Sequence, residues 1–122
     1  MCATPGMLGY TWTGQGGFKA KTQCIVAQYD AYEVEPGVNQ KGKLVAGESI
    51  GDLAGARIAY RAFQIAQKGK PPLPTIDGFT PDQQFFIAWG QFRGDATRPE
   101  LARVMAQGDP HPIGKYRVIG SV

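Results

Sequence analysis

The sequence predicts a mainly helical fold with long connections, and three observations carry this prediction. A long helical stretch runs from about Gly47 to Lys68 and is stopped by the glycines and prolines of residues 69–72. Two helix N-capping motifs, at Thr80 and Thr97, predict further helices. The chain also holds 17 glycines and nine prolines, so much of it must lie in loops. Its 122 residues suit one domain over 1–122.

The first third of the chain predicts one helix between two irregular segments. Residues 1–17 are rich in glycine and threonine without a clear period, and residues 1–11 are expected to form an irregular lead-in. A helix is expected from Phe18 to about Tyr32, where apolar residues fall on neighbouring turns. The turn-forming residues of 36–42 then end it.

Two later helices are predicted by their first residues. In Thr80-Pro81-Asp82-Gln83, threonine stands at the N-cap, proline at the first helical position and glutamine at the third, which is a capping box. Thr97 and Glu100 repeat the threonine and glutamate version of the box before the apolar stretch 101–107.

Between these two helix starts lies a heavily aromatic surface, which at helical spacing is more typical of a core than of a ligand cage. It comprises Phe85, Phe86, Trp89 and Phe92. After a turn at residues 108–110, a short β segment is expected near the C-terminus, from Tyr116 to Ile119.

Composition excludes several classes of protein. Thirteen basic against ten acidic residues give a net charge of +3, far from the dense positive surface of a nucleic-acid binder. No run approaches the ~20 apolar residues of a membrane segment. Residues 1–10 do not resemble a signal peptide, which leaves the localisation unknown. Cys2 and Cys24 could pair, although reduced thiols are expected without an export signal.

Glu48 and Asp52 are four residues apart on the predicted second helix, so they share a face. That face continues through Ala59, Phe63 and Ala66, opposite a charged stripe. Two carboxylates on an apolar face are costly to bury, unless a metal, a buried cation or a proton compensates them. Equally, both could simply favour the positive end of the helix dipole.

His111 and Arg117 are the other candidate site residues. His111, the single histidine, lies in the proline-stiffened turn Asp109-Pro110-His111-Pro112, where it is either merely exposed or fixed for binding or catalysis. Arg117 is either a donor to a substrate carbonyl or carboxylate, or part of a surface ion pair. With one histidine and no Cys-x-x-Cys motif, the chain cannot build a complete histidine- or cysteine-rich zinc site alone.

The segment Gly47-Glu48-Ser49-Ile50-Gly51-Asp52-Leu53-Ala54-Gly55 resembles the Gly-Glu-Asn-x-x-Asp-x-x-Gly signature of the neprilysin and endothelin-converting-enzyme family of zinc metallopeptidases. Other stretches match that family in the same order, so that the similarity covers about Trp12 to Gly120; they are residues 18–32, 82–86, 98–100 and 109–120. The resemblance implies the helical C-terminal part of a zincin-type catalytic domain.

The resemblance also implies a role for each site residue. Glu48 would be the third protein ligand of the catalytic zinc, and Asp52 the carboxylate that orients a zinc-bound histidine. His111 would stabilise the oxyanion of the tetrahedral intermediate, and Arg117 would bind a backbone carbonyl of the substrate. Ser49 stands where the family has a substrate-binding asparagine.

One departure from the family sets the functional expectation. The His-Glu-x-x-His helix, which carries two zinc ligands and the general base in the family, does not occur in this sequence. The chain is therefore expected to be the C-terminal portion of a zinc-dependent endopeptidase, inactive alone and binding zinc only if the missing ligands are supplied. The alternative is a non-enzymatic interaction module, which would form homo-oligomers or bind a complementing chain through an exposed apolar surface.

Overall fold

The computed structural model describes residues 14–122, and side chains from residue 17 onward. The predicted mainly helical fold class is confirmed, with five helices and one small hairpin among the described residues. In chain order the elements are α1 (Gly14–Asp30), β1 (Glu33–Glu35), β2 (Val38–Asn39), α2 (Gly42–Gln67), α3 (Pro81–Phe92), α4 (Pro99–Gly108) and α5 (Gly114–Ile119). The predicted lead-in, residues 1–11, lies outside the described residues.

The β structure is not where the sequence predicted it. Strands β1 and β2 form an antiparallel hairpin, with Glu33 opposite Asn39 and Gly37 in the turn at a positive φ of 73°. They are three and two residues long, too short to show strand alternation in the sequence. The β segment predicted at Tyr116–Ile119 is wrong, because this stretch lies in α5 and the Tyr116 and Arg117 amides both donate to the Ile113 carbonyl.

Helix α2 begins five residues earlier than the sequence predicted, at Gly42. A Cβ at this position would collide with the Val26 carbonyl oxygen, so only glycine lets α2 start directly against α1. The Gly42 amide donates to Asp30 Oδ1 at 2.6 Å, which ties the end of α1 to the start of α2. The C-terminal end agrees with the prediction, since α2 ends at Gln67 before Gly69 at φ 74°.

One predicted capping box is present and the other is not. At α3, Thr80 Oγ1 accepts from the Gln83 amide, and Gln83 Oε1 accepts from the Thr80 amide at 2.9 Å. At α4 the N-cap is Arg98, and no side chain caps the helix. Thr97 instead donates its hydroxyl to Asp95 Oδ2 at 3.1 Å, so the predicted capping box at Thr97 is wrong.

The hydrophobic core lies between α1, the first half of α2, α4, α5 and the hairpin. Its buried residues are Ile25, Tyr29, Val34, Val45, Leu53, Ala102, Ala106, Ile113 and Tyr116. Tyr29 joins α1 to α5, because its hydroxyl donates to the Tyr116 carbonyl at 3.1 Å and its ring occupies the space left by the missing side chain of Gly120. Burial raises the pKa of the Tyr29 hydroxyl.

The aromatic surface of α3 is not part of this core. Helix α3 has no buried residue, and the Phe92 side chain is 73% exposed, so the expectation that these aromatic residues form a core is wrong. The predicted apolar face of α2 also stops early: Ala59 and Ala66 are exposed, and the last buried residue of the helix is Ala56. Within 14–122, no helix is both long and apolar enough to cross a membrane.

The one cysteine among the described residues, Cys24 in α1, is disulfide-bonded. The expectation of reduced thiols is therefore wrong for Cys24. The expectation rests on the character of residues 1–10, which is only indirect evidence about the redox state of a thiol elsewhere in the chain. Cys2, the other cysteine of the sequence, lies outside the described residues.

Candidate active site

The centre of the candidate site is the carboxylate of Asp52, which α2 places in a buried position, 7% exposed. Arg117 of α5 binds it with two nitrogens, Nε to Oδ2 at 2.5 Å and Nη2 to Oδ1 at 2.9 Å. Arg93, at the C-terminal end of α3, adds a third contact from Nη2 to Oδ1 at 3.1 Å. Of the compensations that the sequence left open, the structure thus provides a buried cation for Asp52.

Glu48 lies one helical turn before Asp52 and is half exposed. Its Oε2 accepts a hydrogen bond from Arg117 Nη2 at 3.0 Å, so Arg117 bridges the two carboxylates that the sequence placed on one face. The hydrogen bond to Asp52 raises the pKa of the Arg117 guanidinium above its ordinary value, and the negative charges of Asp52 and Glu48 also raise it. Because α2 begins at Gly42, neither carboxylate lies in its first turn, so the explanation by the helix dipole is wrong.

His111 is held at the edge of the same cluster by Asp109. One oxygen of Asp109, Oδ1, accepts from the His111 backbone amide at 2.8 Å and from the ring nitrogen Nδ1 at 2.7 Å. The amide hydrogen bond first, and the ring contact second, lower the pKa of the Asp109 carboxyl. With Nδ1 engaged, the other ring nitrogen, Nε2, lies 3.9 Å from Glu48 Oε1.

The fold positions these groups from three separate elements. Helix α2 supplies both carboxylates, α5 supplies the arginine, and the turn between α4 and α5 supplies the histidine. Helix α5 can begin against the end of α3 only because Gly114 lacks a side chain, since a Cβ there would collide with Asp95 Oδ1 and come within 2.5 Å of the Arg93 carbonyl oxygen. Four of the five predicted site residues thus come together.

Ser49, the fifth predicted site residue, does not join the cluster. It is 1% exposed, and its hydroxyl donates to the Val45 carbonyl one turn earlier at 2.8 Å. A substrate contact at Ser49 stays a prediction, which this buried placement does not support. Sequence reasoning also missed Arg93, which no motif marks; the demand of a buried Asp52 for positive charge was the one available signal.

The described residues do not complete a zinc centre. Among them, no group of three or more His, Cys, Asp or Glu side chains is placed to hold a metal ion. Glu48 offers one carboxylate, whereas a catalytic zinc takes three protein ligands and a water. No step that passes through zinc can therefore be assigned to these residues by themselves.

Sequence comparison connects this cluster to known proteins. The model of peptidase family M13 matches residues 7–122. An endothelin-converting enzyme homolog of Locusta migratoria is 36% identical over 120 residues, which cover 94% of this chain and 16% of that relative. Human endothelin-converting enzyme 1 is 38% identical over 108 residues, which cover 86% of this chain and 14% of that enzyme.

Structural comparison gives the same result. The fold matches the zinc metalloprotease Zmp1 of Mycobacterium tuberculosis in its open state with a TM-score of 0.79 and 35% sequence identity. The match covers 87% of this chain and 17% of Zmp1. A second Zmp1 structure, in complex with an inhibitor, matches with the same TM-score and 33% identity. The chain thus spans between 14% and 17% of the length of these relatives.

The family resemblance seen in the sequence motifs is therefore confirmed by both kinds of comparison. The family match extends over nearly the whole chain, and the residues of the Gly-Glu-x-x-x-Asp segment lie at the centre of the charged cluster. On this evidence the chain belongs to peptidase family M13, a family of zinc metallopeptidases.

Proposed function

We propose that this chain is the C-terminal portion of the catalytic domain of a zinc-dependent endopeptidase that hydrolyses peptide bonds. The observation that carries the proposal is the convergence of Glu48, Asp52, His111 and Arg117 from three elements into one cluster. These are the positions to which the family resemblance assigns zinc binding, zinc-ligand orientation, oxyanion stabilisation and substrate binding.

The two carboxylates take the metal-related roles. Glu48 is half exposed, so in the complete enzyme its carboxylate can join two ligands from outside this chain in holding zinc. A zinc ion with three protein ligands supplies a polarised carbonyl and an activated water. Asp52 is buried and fixed, which suits a carboxylate that orients a zinc-binding histidine rather than one that binds the metal.

His111 and Arg117 take the substrate-related roles. Asp109 holds the His111 ring by Nδ1, which turns Nε2 toward Glu48, where a negative oxygen would develop during peptide hydrolysis. Arg117 commits Nε and Nη2 to the carboxylates, whereas its Nη1 makes no hydrogen bond within the described part of the chain. Nη1 is therefore the donor available to a backbone carbonyl of the peptide.

The chain alone is proposed to be inactive. It supplies one of the three zinc ligands, and its sequence has no His-Glu-x-x-His helix to provide a general base. Zinc binding is accordingly proposed to require ligands from elsewhere.

A chimera tests the proposal. Residues 14–122 replace the matching segment of Mycobacterium tuberculosis Zmp1, and both hydrolysis of a fluorogenic peptide and bound zinc are measured. The chimera should cleave the peptide, whereas Glu48→Ala should lose zinc and lower kcat/KM by at least about 100-fold, since even residues behind the metal ligands affect metalloenzymes this strongly. Glu100→Ala, an exposed glutamate on α4, is the matched control. Full activity and full zinc content in Glu48→Ala would contradict the assignment.

One observation favours the alternative function, an interaction module that associates through an apolar surface. Helix α3 has no buried residue, and Phe92 and Ile87 of this helix are exposed together with Ile58 and Ile65 of α2. Analytical ultracentrifugation of the chain over a range of concentrations tests this function. Self-association that Phe92→Asp abolishes would support it, and a monomer at every concentration would exclude the homo-oligomer.

A further inference from the structure

Arg93 is a charged residue that neither the sequence motifs nor the proposed function uses. It follows the last residue of α3, and its guanidinium lies over two aromatic rings, 5.1 Å from the centre of Trp89 and 5.0 Å from that of Phe92. From this position Nη2 reaches Asp52 Oδ1 at 3.1 Å. The two rings restrict the guanidinium, so the end of α3 presents a fixed positive charge to Asp52.

Arg93 also belongs to a closed ring of contacts around the site. Trp89, which stacks on Arg93, donates its indole N–H to Ser121 Oγ at 3.0 Å. Ser121 in turn donates its hydroxyl to the Arg117 carbonyl at 2.6 Å. Arg117 and Arg93 both donate to Oδ1 of Asp52 on α2, and this shared acceptor closes the ring of contacts. Arg117 is thus held at both ends, by its guanidinium and by its backbone.

The charges of the cluster show why a second arginine is useful. Two guanidinium groups, of Arg93 and Arg117, face two carboxylates, of Glu48 and Asp52. The Asp52 side chain is buried, so water cannot replace a lost cation there. When Arg117 also donates Nη1 to a peptide carbonyl, Arg93 is the second cation that compensates the charge of Asp52 and holds its carboxylate in place.

We propose that Arg93 is a positioning residue that fixes Asp52 and, through it, the orientation in which Arg117 presents Nη1 to the peptide. The inference rests on the proposed function for its consequence in catalysis, but the geometry behind it belongs to this chain alone. A purely structural Arg93 would anchor α3 to α2 without affecting how tightly Arg117 is held.

The test follows the Nε–H group of Arg117, which donates to Asp52 Oδ2, by NMR of the isotopically labelled chain. Arg93→Gln removes the charge at similar length. We expect its Arg117 Nε–H to exchange with solvent at least about tenfold faster, since weakening a charge-assisted hydrogen bond changes its opening equilibrium by about this factor or more. Arg57→Gln, an exposed arginine on α2, is the matched control and should leave the exchange rate unchanged.

Unchanged exchange in a folded Arg93→Gln chain would overturn the proposal, even if α3 itself became less stable. Should Arg93→Gln fail to fold, Arg93→Met removes the same charge and the contact with Asp52, while it keeps an unbranched apolar side chain against the rings of Trp89 and Phe92. Faster Arg117 exchange in that variant supports the proposal, and native exchange overturns it.

The Zmp1 chimera measures the catalytic consequence separately. There Arg93→Gln, measured with enough added zinc to saturate the enzyme, should raise KM for the peptide, because the donor to the substrate is loosened while Glu48 is intact. A native KM in the variant would overturn the substrate-binding consequence. Failure of the proposed function would give a different result: the zinc content and the activity of the chimera would then not depend on Glu48.

Discussion

Two regions of this chain both carry apolar residues at helical spacing in the sequence, and they differ sharply in the structure. The core region, formed by α1, the first half of α2, α4 and α5, encloses buried side chains such as Tyr29 and Val45. The aromatic region, formed by α3 and the part of α2 after Ala56, encloses none among the described residues. Apolar periodicity therefore identifies the face of a helix that can be buried, but not whether a partner exists to bury it.

The candidate site lies at the boundary of these two regions and takes residues from both. Asp52 and Arg117 belong to the core region and bind each other there, whereas Arg93 reaches Asp52 from the aromatic region. The core region is expected to hold the fold together, and the aromatic region is expected to open at lower free energy because it has few buried contacts. The following predictions test this division.

The largest effect is expected at the boundary, for Asp52→Ala. Removing this carboxylate leaves the guanidinium groups of Arg117 and Arg93 near one another, with Arg117 buried, and should lower the free energy of unfolding by about 3–5 kcal/mol. Asp82→Ala, at an exposed aspartate of α3, should cost less than about 1 kcal/mol. Urea denaturation of both variants checks the difference, and equal losses would contradict the buried role of Asp52.

Two isoleucines compare the regions directly. Ile25 of α1 is 4% exposed, so Ile25→Ala should cost about 3 kcal/mol through lost burial and a cavity. Ile58 of α2 is 72% exposed, so Ile58→Ala should change the free energy of unfolding by less than about 0.5 kcal/mol. A large loss for Ile58→Ala in the urea denaturation of the chain would show that the aromatic region is buried in solution, for example by a second copy.

A pair of threonines gives a smaller effect within the outer helices. Thr80 accepts from the Gln83 amide, so Thr80→Ala should destabilise α3 by about 1 kcal/mol. Thr97 does not cap α4, so Thr97→Ala should cost clearly less, about 0.5 kcal/mol or below. Amide hydrogen exchange in the first turn of each helix measures both changes, and an equal acceleration at the two helices would show that Thr97 does cap α4.

These threonines also show how far the sequence could predict the helices. The two capping motifs look alike in the sequence. However, Pro81 follows Thr80 directly, whereas Pro99 starts α4 two residues after Thr97, so that Arg98 and not Thr97 is the N-cap. The position of the proline was thus the more informative signal. The four residues Tyr116–Ile119 are too few for their sequence pattern to distinguish a strand from a helix. Packing against α3 and α1 stabilises this segment as helix α5.

Residue spacing and family resemblance predicted the candidate site more completely than the sequence pattern predicted the fold. The four-residue spacing of Glu48 and Asp52 predicted their shared face, the sequence also indicated His111 and Arg117 as candidates, and the family resemblance gave each of the four a role. Arg93 could not be predicted, because its contact with Asp52 depends on how the end of α3 approaches α2. Contacts between elements that are distant in sequence follow from tertiary packing, which local patterns do not contain.

The smallest effect is expected at the exposed edge of the site, in the pH dependence of the Asp109 contact with His111. The pKa of Asp109 is lowered in the folded chain, mainly by the hydrogen bond from the His111 amide. Its stabilisation is therefore fully present above the ordinary aspartate pKa and is lost as the pH falls through the lowered value.

The amide resonance of His111 should follow this titration, with a midpoint below the ordinary aspartate pKa, and Asp109→Asn should remove the transition. A midpoint at or above the ordinary value would mean that the turn does not hold His111 in solution. In that case the orientation of Nε2 toward Glu48 could not depend on Asp109, and the site would be organised by its buried half, Asp52 and the two arginines, alone.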